Sequence, residues 1–246
     1  MTSTDPTTAT DPVTGADQGP PKRTVVSFVH RGGRMTVGQV RAWDRRWPEL
    51  GKQVGELPAG PLDTDSWFGR RAPVLLEIGS GMGETTSRLA QAAPELNYLA
   101  VEVYEPGLAQ LILRAEAMEL TNLRLLRGDA VVLLTEHIAP GSLAAVRIYF
   151  PDPWPKKKHH KRRLVQPEFI ALVASRLVPG GTVHLATDWE HYAEQMLEVL
   201  TAEPLLRNQH DGWAPRPDWR PVTKFESRAQ DEGRISRDLL FERVKD

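Results

Sequence analysis

From residue 73 onward, short apolar runs alternate with stretches in which apolar residues recur every three or four positions. Val74–Ile78 is a β-type run bounded by Pro73 and Gly79, and the runs at 98–103, 123–127, 144–150 and 182–187 have the same character. Between them the spacing is helical. A helix is predicted over 84–93. Leu108, Leu111, Ile112, Ala115 and Met118 mark the apolar stripe of the next, and a third is predicted over 130–138. Pro167 suits the first position of a helix whose apolar face is Phe169, Ile170, Leu172, Val173 and Leu177, with Pro179-Gly180-Gly181 as its stop. A last helix is predicted over 189–202 and a late strand over 237–244. Alternating units of this length predict an α/β fold, a mostly parallel sheet with helices on both faces.

The first seventy residues differ. Residues 1–21 are rich in Thr, Asp, Pro and Gly, with almost nothing to bury, and read as a disordered tail. A short strand is expected at 24–29 and a short helix at 37–47, while 51–69 reads as loop with at most a helical turn. No internal repeat is present.

Composition narrows the class. Apolar content of 40% and charged content of 26% are ordinary for a globular protein. No run approaches a membrane span, and the first twenty residues lack the basic start and apolar stretch of a secretory signal. Cysteine is absent, which removes disulfides and thiolate metal sites, and the seven histidines show no metal-ligand spacing. A cytoplasmic, metal-free protein is expected. Net charge is −1, but its distribution is uneven. Residues 22–46 carry seven Lys/Arg and one acid, and 156–163 carry six Lys/Arg and no acid. Local patches of this kind, rather than net charge, set the field that a polyanion meets.

The chemistry lies where strands end, because ligands of open α/β sheets bind outside the carboxyl ends. The first strand ends in Glu77-Ile78-Gly79-Ser80-Gly81-Met82-Gly83. Alternate glycines permit a tight turn and a close backbone approach to a ligand. The dinucleotide fingerprint is not met, because Glu84 stands where that pattern requires Gly or Ala. Acids here favour a ligand carrying an ammonium or sulfonium group over a pyrophosphate. Glu102 ends the second strand, about twenty residues on, where an acid accepts ribose hydroxyls. Asp129 ends the third, placed for an adenine amino group or simply for a helix cap. After the fourth strand comes Phe150-Pro151-Asp152-Pro153-Trp154-Pro155, then Lys156, Lys157, Lys158, His159, His160, Lys161, Arg162 and Arg163. The prolines present Asp152 from a stiff turn, and the basic run matches a phosphate backbone. A solvated basic loop is the plainer reading of that segment taken alone.

The three acids in order resemble the Rossmann-like S-adenosylmethionine-dependent methyltransferases. The Asp152 loop is similar to that of the tRNA (guanine-N7-)-methyltransferase family. So are Ser27-Phe28-Val29 with Arg31, Gly33, Arg34 and Thr36; Thr187-Asp188 after the fifth strand; and Arg220-Pro221-Val222-Thr223-Lys224-Phe225-Glu226. The resemblance covers residues 22–244 and departs at Ala229, where the family is expected to have glycine. It implies a doubly wound, mostly parallel seven-stranded sheet. It also implies one methyltransferase domain over 22–246, with a basic extension at 22–70 and the core at 71–246. S-Adenosyl-L-methionine is the implied cofactor, with Glu77, Gly79, Gly81, Glu102, Asp129 and Asp152 around it and Asp152 as the active-site acid. Lys156, Asp188, Thr223, Lys224, Phe225 and Glu226 would contact the target nucleotide, and Lys158, His159, His160, Lys161, Arg162 and Arg163 the RNA. The implied reaction is methyl transfer to guanosine N7 at position 46 of the tRNA variable loop, by a monomer or a homodimer.

Guanine N7 carries an in-plane lone pair and no proton, so the reaction needs alignment rather than a strong base. The other edge of guanine presents two N–H donors, and Asp152, Asp188 and Glu226 are all candidate acceptors. The base must be splayed out to be reached, with Trp154, Trp213, Trp219 and Phe225 as candidate stacking surfaces or ordinary packing residues. A methyltransferase for a small molecule or protein would need only the cofactor half. A non-catalytic tRNA-binding protein would need only the basic strip. The presence of both argues against each.

Overall fold

The computed structural model describes Phe28 and residues 33–245, without the side chains of Lys224 and Phe225. The expected tail at 1–21, and the expected strand at 24–29 apart from Phe28, lie outside the described residues. Helix α1 spans Val37–Leu50 and starts at a reciprocal cap. The Thr36 side chain accepts from the Gln39 N–H, and the Gln39 side chain accepts from the Thr36 N–H. Strand β1 is Gly51–Gln53 and helix α2 Thr64–Phe68. The alternating core then runs β2 (Val74–Ile78), α3 (Glu84–Ala92), β3 (Asn97–Glu102), α4 (Glu105–Ala117), β4 (Leu123–Arg127) and α5 (Ala130–Val132). It continues as β5 (Leu143–Tyr149), α6 (Pro167–Arg176), β6 (Leu177–Thr187) and α7 (Glu190–Ala202). Strand β7 (Leu206–Asn208), helix α8 (Lys224–Asp231) and strand β8 (Arg237–Arg243) follow.

The sheet order is β1-β4-β3-β2-β5-β6-β8-β7. All neighbours from β1 to β6 are parallel, and β8 pairs antiparallel with both β6 and β7. Among the described residues the sheet has eight strands, the six at the predicted runs from 74–78 to 237–244 and two unforeseen ones, whereas seven were expected with the segment at 24–29 among the candidates. The unforeseen β1 and β7 are three residues long, too short to show a period, and lie at the two edges. Two boundaries also differ from expectation. The helix predicted over 130–138 is helical only to Val132 and then widens into a π-type turn over Leu133–His137. Helix α6 stops at Arg176, and β6 runs on through Pro179-Gly180-Gly181. Its register against β5 shifts there, the irregularity at which a strand tolerates proline.

Each face has its own core. Leu75, Tyr98, Ala100, Leu123 and Leu125 meet Leu89, Leu108, Leu111 and Ile112 of α3 and α4. On the other face, Leu76, Ile78, Val146, Ile148, Val183 and Leu185 meet Ile170 and Val173 of α6 and Tyr192, Met196 and Leu200 of α7. Strand β2 is buried at every position, as a central parallel strand must be. The chain builds outward from β2 through β3 to β4, then crosses to β5 on the other side. The strand order therefore reverses between β2 and β5, and a crevice opens at that point.

Candidate active site

Gly79, Gly81 and Gly83 follow β2 with φ of 79°, 54° and 70°, a region that other residues rarely enter. A Cβ on Gly83 would lie 2.5 Å from Leu111, so that glycine lets α3 pack on α4. A Cβ on Gly79 or Gly81 would meet nothing within 4 Å, so open space faces both. Glu102, at the end of β3, ties this turn down. Its carboxylate accepts from the N–H groups of Gly81 at 2.8 Å, Val103 at 2.7 Å and Tyr104 at 3.0 Å. Three of about four acceptor positions are thus engaged, which leaves room for a further donor. Asp129 follows β4 and caps α5, accepting from the Val131 N–H at 2.8 Å.

Glu77 is the unusual member. It lies inside β2, 2% exposed, between Ala100 of β3 and Arg147 of β5. Its Oε2 has no hydrogen-bond partner among the described residues, and neither has the buried Ser80 hydroxyl. Burial pushes its pKa up to about 7; the Arg147 charge and the Thr86 hydroxyl oppose the rise, and Glu102 adds to it. A buried carboxylate with one oxygen left without a donor, beside a glycine-lined opening, suits a ligand bearing an ammonium group. With Glu102 and Asp129 at the next two strand ends, these residues fit S-adenosyl-L-methionine.

The β5 end carries the second half of the site. Phe150 and Trp154 have φ of 50° and 44°, left-handed backbone at two bulky residues, with the half-buried Asp152 midway between them. Such conformations cost on the order of 1–3 kcal/mol each and persist only where packing imposes them. The packing is visible. The Phe150 N–H donates to the Ala186 carbonyl at 2.7 Å. The Arg162 guanidinium lies 3.8 Å from the Trp154 ring centre, and His159 meets the same ring edge-on at 5.9 Å. Lys156, Lys158 and Lys161 are exposed along a 3-10 turn, and His159, His160 and Arg162 are half-buried.

Arg163 departs from the expected basic strip. It is 1% exposed. Its Nε donates to the Pro153 carbonyl at 2.8 Å and its Nη1 to Gln195 Oε1 at 2.6 Å. The same Nη1 lies 3.3 Å from His191 Nδ1, and Nη2 lies 3.2 Å from His160 Nε2. Its charge therefore bolts the Asp152 loop to α7 and is withdrawn from the surface.

The segment expected to contact the nucleotide is divided. Asp188 follows β6 and accepts from Arg234 Nε at 2.7 Å. Thr223 caps α8, accepting from the Glu226 N–H at 3.2 Å. Glu226 is fully buried, with its oxygens 2.9 Å from Arg220 Nη1 and Nη2 and 3.2 Å from Arg216 Nε. Arg220 also donates to both oxygens of Asp238, at 3.0 and 2.9 Å. Asp238 in turn meets His184 Nε2 at 2.8 Å, and His184 Nδ1 meets the Tyr149 hydroxyl at 2.8 Å. Burial lowers the His184 pKa more than the Asp238 hydrogen bond raises it. A neutral His184 donates to Asp238 and accepts from Tyr149. Burial works against the Arg220 charge, but Asp238 and Glu226 outweigh it and its pKa is raised. Sequence reading missed this network. Its only local signal is His184 and Asp238 standing inside apolar strands. Trp219 is 46% exposed under Arg147, whereas Trp213 packs on the core. Among the described residues no group of three or more His, Asp or Glu is placed to hold a metal ion.

Comparison with known proteins places the chain among methyltransferases. A family model described as a putative methyltransferase matches residues 71–239. A tRNA (guanine-N(7)-)-methyltransferase of Streptomyces coelicolor is 53% identical over 226 residues, 91% of this chain and 83% of its own. One of Bordetella pertussis is 54% identical over 229 residues, 93% of this chain and 89% of its own. Among solved structures, the 16S rRNA methyltransferase KamB superposes with a TM-score of 0.56 over 79% of this chain and 99% of its own. At 14% identity that likeness concerns the fold alone.

Proposed function

The chain belongs to the tRNA (guanine-N(7)-)-methyltransferase family, and from that premise we infer that it transfers a methyl group from S-adenosyl-L-methionine to N7 of a guanosine in tRNA. We propose that the guanosine is the one at position 46 in the variable loop, and that the enzyme works in the cytoplasm. No helix among the described residues is long and apolar enough to cross a membrane. The observation that carries the reading is an adjacency. The Glu77 carboxylate, whose Oε2 has no hydrogen-bond partner among the described residues, and the strained Asp152 loop belong to neighbouring strands, β2 and β5, at the crevice where the strand order reverses.

When bound, S-adenosyl-L-methionine supplies a methyl group on a positively charged sulfur. Glu77 would receive the ammonium group, Glu102 the ribose and Asp129 the adenine amino group, with Gly79 and Gly81 leaving the space. Asp152 would orient the reacting groups from its fixed turn. Alignment can lower a barrier by up to about 7–11 kcal/mol in favourable cases, and N7 has no proton for a base to remove. Lys157, Lys158 and Lys161 would hold phosphates, and Lys156, Thr223, Lys224 and Phe225 would border the base.

The test is incubation with unmodified tRNA and labelled cofactor, followed by mapping of the modified base. Label at guanosine N7 of the variable loop is expected. Label at another base, or on no RNA, would overturn the reading.

A further inference from the structure

Arg234 was absent from the sequence-derived site, and its place in the structure gives it a part. It sits just past α8. Gly233 there has φ of 74°, its N–H donates to the Gln230 carbonyl at 2.9 Å, and the Arg234 N–H donates to the Ala229 carbonyl at 2.8 Å. This is a helix-ending motif that fixes the backbone of the residue after the glycine. From that platform the Arg234 Nε reaches the Asp188 Oδ2 at 2.7 Å, and its Nη1 meets Glu232. The Asp188 side chain is 11% exposed. Strands β5 and β6 are parallel neighbours, so Asp152 and Asp188 leave adjacent strand ends on one edge of the sheet.

We propose that Arg234 is a positioning residue for the methyl-transfer reaction, holding the Asp188 carboxylate so that it accepts from the N1–H and 2-amino groups of the target guanine. The proposal rests on the tRNA-guanine reading above. Of the three carboxylates first considered for this edge, Glu226 is excluded by its placement, because Arg220 and Arg216 occupy it inside the protein. Asp188 keeps capacity: a carboxylate has about four acceptor positions, and Arg234 Nε takes one of them. Guanine brings two donors to this edge, whereas adenine presents an acceptor at N1. A carboxylate whose orientation is already set needs no ordering when the base arrives. Arg234 itself is shared between Asp188 and Glu232, which suits orientation better than phosphate binding.

The test is a discrimination ratio. Inosine keeps N7 and N1–H but lacks the 2-amino group. Single-turnover methyl transfer is measured on two tRNAs that differ only in guanosine or inosine at the methylated position. For the wild type we expect a preference of at least about tenfold for guanosine, since a site built to bind an N–H group rejects the analogue without it. Arg234→Met should compress that ratio to below about threefold, as should Asp188→Asn. Cofactor affinity by calorimetry and melting temperature should stay near wild type for Arg234→Met, and Arg234→Lys should recover part of the ratio. An unchanged ratio in Arg234→Met, or a wild-type enzyme indifferent to the 2-amino group, would overturn the proposal. So would an equal loss on both tRNAs with a flatter salt dependence, which marks a phosphate contact. Failure of the functional reading looks different, because the wild type would then methylate neither tRNA at this position.

Discussion

Glu77 is the residue whose surroundings say most about its task. Its pKa is pushed up to about 7 by burial, against a carboxylate's ordinary 4.5. The folded protein therefore holds a proton there more tightly than the unfolded chain does. Stability is greatest below the unfolded value, declines as pH rises through the window from 4.5 to about 7, and is flat above it. The ammonium of the cofactor would favour the ionised form, so cofactor affinity should rise with pH through the same window. Glu77→Gln should raise the melting temperature of the ligand-free protein at about pH 8 and much less at about pH 5, by up to roughly 2–3 kcal/mol of stability. It should also weaken cofactor binding and flatten its pH dependence. Thermal melts and calorimetry at several pH values check both; a variant that binds with the wild-type pH profile would remove Glu77 from the site. Asp152→Ala should lower single-turnover methyl transfer at saturating cofactor and tRNA by at least about a hundredfold, roughly 3 kcal/mol in barrier, with folding preserved. A rate within about threefold of wild type would shift attention to Asp188. The placement of these acids at strand ends was legible in the sequence because the strands themselves were. Arg163 was not. Nothing in a run of basic residues tells which one turns inward, since Gln195 and His191, which hold it, lie some thirty positions away.

At the scale of elements, the Asp152 loop and α8 are both built by buried arginines. Arg163 clamps the loop to α7, and Arg220 clamps the start of α8 to β8 through Glu226 and Asp238. Each clamp joins segments distant in sequence, so neither leaves a periodic trace. The pattern did reveal the five central strands and the helices that cover them, because parallel strands buried on both faces are continuous apolar runs. It did not reveal β1 or β7, and it stopped α6 too late because Pro179-Gly180-Gly181 signals a turn as readily as a bulge. The clamp on the loop has a measurable consequence. Arg163→Ala would leave the Pro153 carbonyl and Gln195 without their donor inside the protein, and should destabilise the fold by about 2–4 kcal/mol. Lys161→Ala, at an exposed position, should change stability by no more than about 0.5 kcal/mol. Denaturant titration of the two variants separates them. Equal stabilities, with tRNA affinity lost only in Arg163→Ala, would restore Arg163 to the RNA-facing strip.

Across the whole molecule, the reversal of strand order between β2 and β5 divides the crevice. Glu77, Glu102 and Asp129 stand at the ends of β2, β3 and β4, on one side. Asp152 and Asp188 stand at the ends of β5 and β6, on the other, and the basic turn Lys157–Arg162 lies beyond Asp152. Net charge is only −1, so attraction for a polyanion must come from where the cations sit. Lys157, Lys158 and Lys161 are exposed, whereas Arg162 is half-buried and stacks on Trp154. Replacing the three lysines with alanine should therefore weaken tRNA binding without disturbing the loop. Each phosphate left unneutralised should reduce the slope of log affinity against log salt by about 0.7–0.9, or roughly 2–3 for all three. Cofactor affinity should not change, because the lysines belong to the other half of the crevice. Glu102→Ala makes the converse prediction. Removal of its charge-assisted bonds, worth roughly 1.5–3 kcal/mol each, should weaken cofactor binding and loosen the glycine turn while leaving the salt slope for tRNA intact. Titrations of tRNA at several salt concentrations and calorimetry with the cofactor, done on both variants, test the division directly. If the lysine variant kept the wild-type slope, the basic turn would not touch phosphate. If either variant failed to bind both ligands, the two halves of the crevice would be one coupled site.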